Sequence, residues 1–136
     1  MTVLVVSRLV VRMIHIDYVT FDCARPYELA SFWSEAAGLA FHPETGKDDD
    51  EVLLVGKTNL LFIKVPEGKT VKNRVHLDVT GAEGATRDQE VERLLTLGAT
   101  VQADRRNADG GGWVTMLDPE GNEFCVCRSE AEAKQG

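Results

Sequence analysis

The residues able to do chemistry gather on two short stretches. Arg74-Val75-His76-Leu77-Asp78-Val79 alternates, so a strand there shows Val75, Leu77 and Val79 on one face and His76 and Asp78 on the other. Near the C-terminus, Glu123-Phe124-Cys125-Val126-Cys127 repeats the pattern, with Phe124 and Val126 facing one way and Glu123, Cys125 and Cys127 the other. An imidazole, carboxylates and thiols on polar strand faces are groups that contact ligands, move protons or bind metals. His76 is open to all three roles, and His76 with Glu123 is a pair around which a metal or acid/base site could assemble. Cys125 would need a base within reach to act as a nucleophile, for which His76 is the candidate. Tyr18 offers a hydroxyl or an aromatic wall, and Trp113, directly after Gly110-Gly111-Gly112, stands where it could close over a ligand.

These residues need strands and turns to hold them. Residues Ile14 to Cys23 alternate, with Val19 and Phe21 opposite Tyr18, Thr20 and Asp22, which predicts a first strand with one covered face. Pro26 suits the first turn of a helix whose apolar positions Leu29, Phe32, Trp33 and Ala36 recur at helical spacing, and Gly38 ends it. A short strand at Leu39 to Phe41 and strands at Val52 to Val55 and Asn59 to Val65 follow. The acidic run Asp48 to Glu51 lacks the glycine and spaced donors of a calcium loop and reads as solvated. After the strand carrying His76, Thr86 and Gln89 form a capping box for a helix with Val91, Leu94 and Leu95, closed by Gly98. A strand at Thr100 to Gln102 and a hairpin complete the chain. The hairpin pairs two β-prone runs across Asp118-Pro119-Glu120-Gly121-Asn122, where Pro119 presets one backbone dihedral and Gly121 tolerates a positive one.

The two halves share one order of elements: strand, helix, glycine, three strands. The predicted fold is α+β: two βαβββ modules, about residues 14–65 and 74–129, form a curved, incomplete barrel around a concave cavity, with the helices on the outer face. Residues 1–13 are an N-terminal extension. Since Met13 directly precedes the first strand, residues 1–12 are an extra edge strand or the product of an upstream start. Residues 130–136 make a polar tail.

The arrangement resembles the vicinal oxygen chelate superfamily of glyoxalases, extradiol dioxygenases, and fosfomycin- and bleomycin-resistance proteins. The resemblance rests on Asp22-Cys23-Ala24-Arg25-Pro26 leading into Leu29-Ala30-Ser31-Phe32-Trp33 and Gly38-Leu39, and on Leu117-Asp118-Pro119-Glu120-Gly121-Asn122-Glu123-Phe124. It spans Ile14 to Arg128. Metal-using members hold a divalent ion at positions that fall here on Tyr18, His76 and Cys125, where histidine and glutamate are usual in place of Tyr18 and Cys125. The resemblance therefore implies a small organic ligand in the inter-module cavity, contacted by Tyr18, His76, Asp78, Trp113, Glu123 and Cys125, with no metal cofactor expected. The alternative is a divalent-metal-dependent lyase, isomerase or dioxygenase. Drug-binding members are commonly dimers whose modules complete each other's cavities, so a homodimer is implied.

Composition narrows the partners. A chain of 136 residues fits one domain, and 15 basic against 22 acidic residues give a net charge of -7, which disfavours nucleic acid and anionic membranes. Three cysteines without the spacing of a secreted scaffold point to a reducing cytoplasm. The apolar run Thr2 to Val11 is interrupted by Arg8 and too short to span a bilayer, and it has no basic leader.

Overall fold

The computed structural model describes residues 12–135. The first module runs β1 (Val19–Cys23), α1 (Pro26–Ala37), β2 (Ala40–Phe41), β3 (Glu51–Val55) and β4 (Leu60–Lys64). The second repeats it as β5 (Leu77–Thr80), α2 (Arg87–Leu97), β6 (Thr100–Asp104), β7 (Trp113–Leu117) and β8 (Glu123–Cys127), followed by a short helix α3 (Glu130–Gln135). Each module is one four-stranded mixed sheet, ordered β1-β4-β3-β2 and β5-β8-β7-β6. In both, the first strand pairs in parallel with the last, and the rest of the sheet is antiparallel. The fold is thus α+β with two βαβββ modules, and the sheets do not close into a barrel.

Local chemistry explains the helices. Pro26 stands in the first turn of α1, and Gly38 ends it in the left-handed conformation at φ 67°. α2 opens with the expected capping box: the Gln89 N–H donates to Thr86 Oγ1 at 3.1 Å and the Thr86 N–H to Gln89 Oε1 at 3.0 Å. α1 has no cap from its own Arg25. The two amides just ahead of it are met from the other module, where Glu120 Oε1 accepts from the Ala24 N–H at 2.7 Å and Oε2 from the Arg25 N–H at 2.9 Å.

One core serves both modules. Leu29, Phe32 and Trp33 of α1 pack with Val52, Leu54, Leu60 and Phe62 of their own sheet and reach Phe124 of β8. The Trp33 and Phe124 rings meet edge-on at 5.0 Å, and the Trp33 indole N–H donates to buried Asp118 Oδ2 at 3.1 Å.

Several boundaries differ from the pattern-based expectation. β1 starts at Val19 rather than Ile14, because its ladder begins where Val19 meets Leu60; among the described residues no strand lies beside Ile14 and Ile16, which are 95% and 83% exposed. β5 starts at Leu77 rather than Arg74 for the same reason, its first partner being Phe124. In α2, Val91 and Leu94 are buried but Leu95 is exposed, and the stripe is completed instead by Arg87. β6 runs on to Asp104 through a bulge between Val101 and Ala103. Most of the polar tail is helical: Ser129 Oγ caps α3 through the Glu132 N–H, and Glu132 Oε1 accepts from the Arg87 N–H at 2.8 Å. The alternatives for residues 1–12 fall, except for Arg12, outside the described residues.

Candidate functional site

The sheet of the second module aligns the polar residues in rows. Parallel pairing of β5 with β8 sets Asp78 beside Cys125, and antiparallel pairing of β8 with β7 sets Thr115 on the other side of Cys125. His76 lies two residues before Asp78 and therefore on the same face, with Nδ1 3.3 Å from Asp78 Oδ1. The donor atoms of His76, Asp78 and Cys125 all fall within 4.8 Å of one another. Thr115 Oγ1 lies 3.4 Å from Cys125 Sγ and accepts the Trp113 indole N–H at 3.2 Å. Together these groups line a concavity of about 500 Å³, with Gln102 and Arg105 on its far wall and Trp113, 43% exposed, beside Thr115.

Five of the six residues singled out from sequence thus share one cup: His76, Asp78, Trp113, Glu123 and Cys125. Tyr18 does not join them. It precedes β1 in the other sheet, is 47% exposed, and no strand pairing among the described residues carries it to His76. Thr115, Gln102 and Arg105 were not anticipated. Period-2 spacing from Trp113 marks the face of Thr115, whereas Gln102 owes its aim to the β6 bulge, for which no residue pattern gives warning.

The cysteines differ in setting. Burial pushes the Cys127 thiol up, helped by the charge of Asp78 and by Cys125, so it stays protonated at neutral pH. Cys23, in the core, is pushed up to about 12 by burial and then by Glu120, Asp22 and Asp118. Neither is a nucleophile in this state.

Glu123 stands at the boundary between the cup and a larger cleft of about 830 Å³ that separates β1 from the linker and the start of β8. The sequence left Glu123 free to pair with His76, but its carboxylate is engaged with the linker. Oε1 accepts from the Asn73 N–H at 2.9 Å and lies 3.2 Å from Lys69 Nζ. Burial raises its pKa, yet the hydrogen bonds from Asn73, its own backbone and Lys69 outweigh that and bring it below 4.5. A carboxyl lowered on folding contributes stability above its unfolded pKa and loses it as pH falls through the folded value. Glu123→Gln should therefore cost about 1–2 kcal/mol at pH 7 and much less once the pH is well below 4.5. Urea midpoints across that range measure the difference; a cost independent of pH would show that the linker is held by other contacts.

Comparison with known proteins places this geometry. The family model described as "Glyoxalase-like domain" matches residues 18–127. Among solved structures, lactoylglutathione lyase from Agrobacterium tumefaciens is similar at 18% identity and TM-score 0.58, over 85% of this chain and 94% of that one. A possible glyoxalase from Bacillus cereus aligns at 16% identity and TM-score 0.64, over 85% of this chain and 99% of that one. A fosfomycin resistance protein from Listeria monocytogenes aligns at 15% identity and TM-score 0.65, over 91% of this chain and 100% of that one. At these identities the likeness is one of fold. No curated protein sequence matches the chain.

Proposed function

Since the chain belongs to the glyoxalase-like domain family, we propose that it binds a small organic molecule in the cup of its second sheet, without the imidazole-and-carboxylate metal centre of the family's enzymes. The observation that carries this reading is the convergence of His76, Asp78, Trp113, Glu123 and Cys125 on one concavity of about 500 Å³, a size suited to a small ligand. The ligand stacks on the exposed face of Trp113 and takes polar contacts from His76, Asp78 and Thr115.

The residues do not fit the family's metal. A six-coordinate ion that keeps positions open for substrate oxygens wants imidazole and carboxylate donors, whereas Cys125 supplies a thiol and Tyr18 stands just ahead of β1, the first strand of the other sheet. The same reading makes the protein a homodimer, supported by exposed Tyr18, Val75 and Val101, which a second copy would cover. It also makes the protein cytoplasmic, in keeping with three free cysteines among the described residues. Nucleic acid and membrane surfaces are not its partners, and no described helix is long and apolar enough to cross a membrane.

The test is a thermal-shift screen of metal-free protein against aromatic and glycopeptide-like compounds. A ligand at a hundred times its Kd stabilises by about 2.7 kcal/mol, and Trp113→Ala should abolish the shift. The reading is overturned if no compound shifts the wild type and the purified protein retains near-stoichiometric Fe(II), Mn(II) or Ni(II) that His76→Ala removes. That outcome would point to a metal-dependent lyase, isomerase or dioxygenase.

A further inference from the structure

We infer that Cys125, His76 and Asp78 act together as nucleophile, base and orienting acid, and that the second sheet carries out metal-independent acyl transfer from an aryl ester or thioester. The inference shares the cup of the proposed function and adds a covalent step that reversible binding does not require.

Three observations carry it. The first is proximity in the order the chemistry needs. A polar atom from each of the three side chains lies within 4.8 Å of the other two, and Asp78 Oδ1 is 3.3 Å from His76 Nδ1. The carboxylate fixes the ring through one nitrogen and leaves the other to take the thiol proton. The second is the scaffold. Asp78 and Cys125 are register partners on adjacent strands, and His76 lies on the same face of the chain leading into β5, so backbone pairing holds nucleophile and base side by side. The third is the support around the sulfur. Thr115 Oγ1 accepts the Trp113 indole N–H, which leaves its own hydrogen to point at Cys125 Sγ, 3.4 Å away. A hydroxyl donor on the sulfur steadies the thiolate as the proton leaves. On the same strand face, Cys127 is kept protonated by burial and by the charge of Asp78, so the sulfur beside the base is the reactive one.

The cup selects the acyl group. Trp113 offers an exposed ring face that suits a flat aromatic acid, and the Gln102 amide and Arg105 guanidinium on the far wall are donors for the oxygen that gains charge. In the first step the Cys125 sulfur bonds the carbonyl carbon, the C–O or C–S bond to the leaving group breaks, and the thiol proton passes through His76 to that group. In the second, water attacks the new thioester, His76 takes the water's proton and returns it to the sulfur, and the aromatic acid departs. Neither step consumes an oxidant or a reductant.

The experiment follows hydrolysis of p-nitrophenyl benzoate by the intact, reduced protein in the presence of a chelator. The expected result is a burst of one p-nitrophenolate per chain, then slower turnover, with one benzoyl group found on Cys125 by mass spectrometry of the quenched burst. Cys125→Ala should remove the burst, and Cys127→Ser should leave it. His76→Ala should slow acylation by about 10²–10⁴-fold without unfolding the protein, as checked by circular dichroism. Asp78→Asn, which acts through the ring, should slow it about tenfold or more with KM unchanged. The inference is overturned by a burst that survives Cys125→Ala, by a benzoyl group on another residue, by equal acylation rates in wild type and His76→Ala, or by no acylation of folded wild type. Activity that appears only when a divalent ion replaces the chelator overturns it as well. A protein that binds aromatic compounds reversibly but takes no acyl group keeps the proposed function and removes this inference. An acylated Cys125 in a protein whose stability no compound shifts does the opposite.

Discussion

Asp118→Ala should cost about 3–5 kcal/mol and lower the thermal transition by well over ten degrees, because several strong hydrogen bonds and one buried donor lose their partner together. Asp118 is 3% exposed and sits in the hairpin turn. Its Oδ1 accepts from the Glu120 N–H at 2.9 Å and the Asn122 N–H at 3.0 Å, and both oxygens accept from the Asn122 amide. Oδ2 also takes the Trp33 indole N–H from the other module at 3.1 Å. Bonds to a charged acceptor contribute about 1.5–3 kcal/mol each, and removing the carboxylate leaves the buried Trp33 N–H without its protein partner. Asp118→Asn keeps one carbonyl oxygen and should cost less than half as much. Urea denaturation of both variants measures this; equal losses for Asn and Ala would mean that the charge, rather than the acceptor geometry, is what matters.

This residue also shows how far the chain can be read before its structure is known. The Pro119 and Gly121 spacing marks a turn, and the flanking alternation marks the two strands; both are local patterns governed by backbone dihedrals and a period of two. Capping at Thr86 and Gln89, the helix-ending Gly38 and Gly98, and the repeat of two modules were legible in the same way. The partner of Trp33 was not, since it lies 85 positions away and a tryptophan on a core stripe looks alike whether or not its N–H is bonded. At the site, alternation assigned His76, Asp78, Glu123 and Cys125 to polar faces. It could not show that Asp78 would stand beside Cys125, because register between β5 and β8 depends on a linker of no regular pattern. Nor could it show that Glu123 would be engaged by Lys69 and Asn73, so that the groups drawn closest together are His76, Asp78 and Cys125 rather than the alternative pair of His76 and Glu123.

Arg87→Met should cost about 2–4 kcal/mol and alter the surroundings of Trp113, 26 positions later in the chain. A basic residue at the start of an exposed-looking helix gives no hint of this, yet Arg87 is 4% exposed. Its Nη1 donates to the carbonyls of Gly110, Gly111 and Gly112 at 3.1, 3.0 and 3.0 Å, and its Nε to Asp88 Oδ1 at 2.9 Å. Asp88 is held below its usual range by that bond and by Arg106, whose other arm brings Asp104 down to about 2. The glycines are bound to this arrangement by space as well: Gly112 has φ 85°, and a Cβ there would come within 2.1 Å of the Arg105 carbonyl oxygen. Methionine fills the volume of the arginine stem but leaves those carbonyls without a donor, at about 1–3 kcal/mol for those that water cannot reach. Because Trp33 is 2% exposed and Trp113 43%, acrylamide quenching of tryptophan fluorescence reports mainly on Trp113. Quenching should rise in Arg87→Met and be partly restored in Arg87→Lys, which returns one charged donor without the planar fan. A stability loss without any change in quenching would separate Arg87 from the shape of the cup.

The clasp of Glu120 on the Ala24 and Arg25 amides bears on the order in which the chain matures. On the ribosome the first repeat emerges complete in its own strands and helix, but the carboxylate that finishes the start of that helix is encoded 95 positions later. The early half must therefore wait, with its leading amides turned to water, until the final hairpin has been made and folded against it.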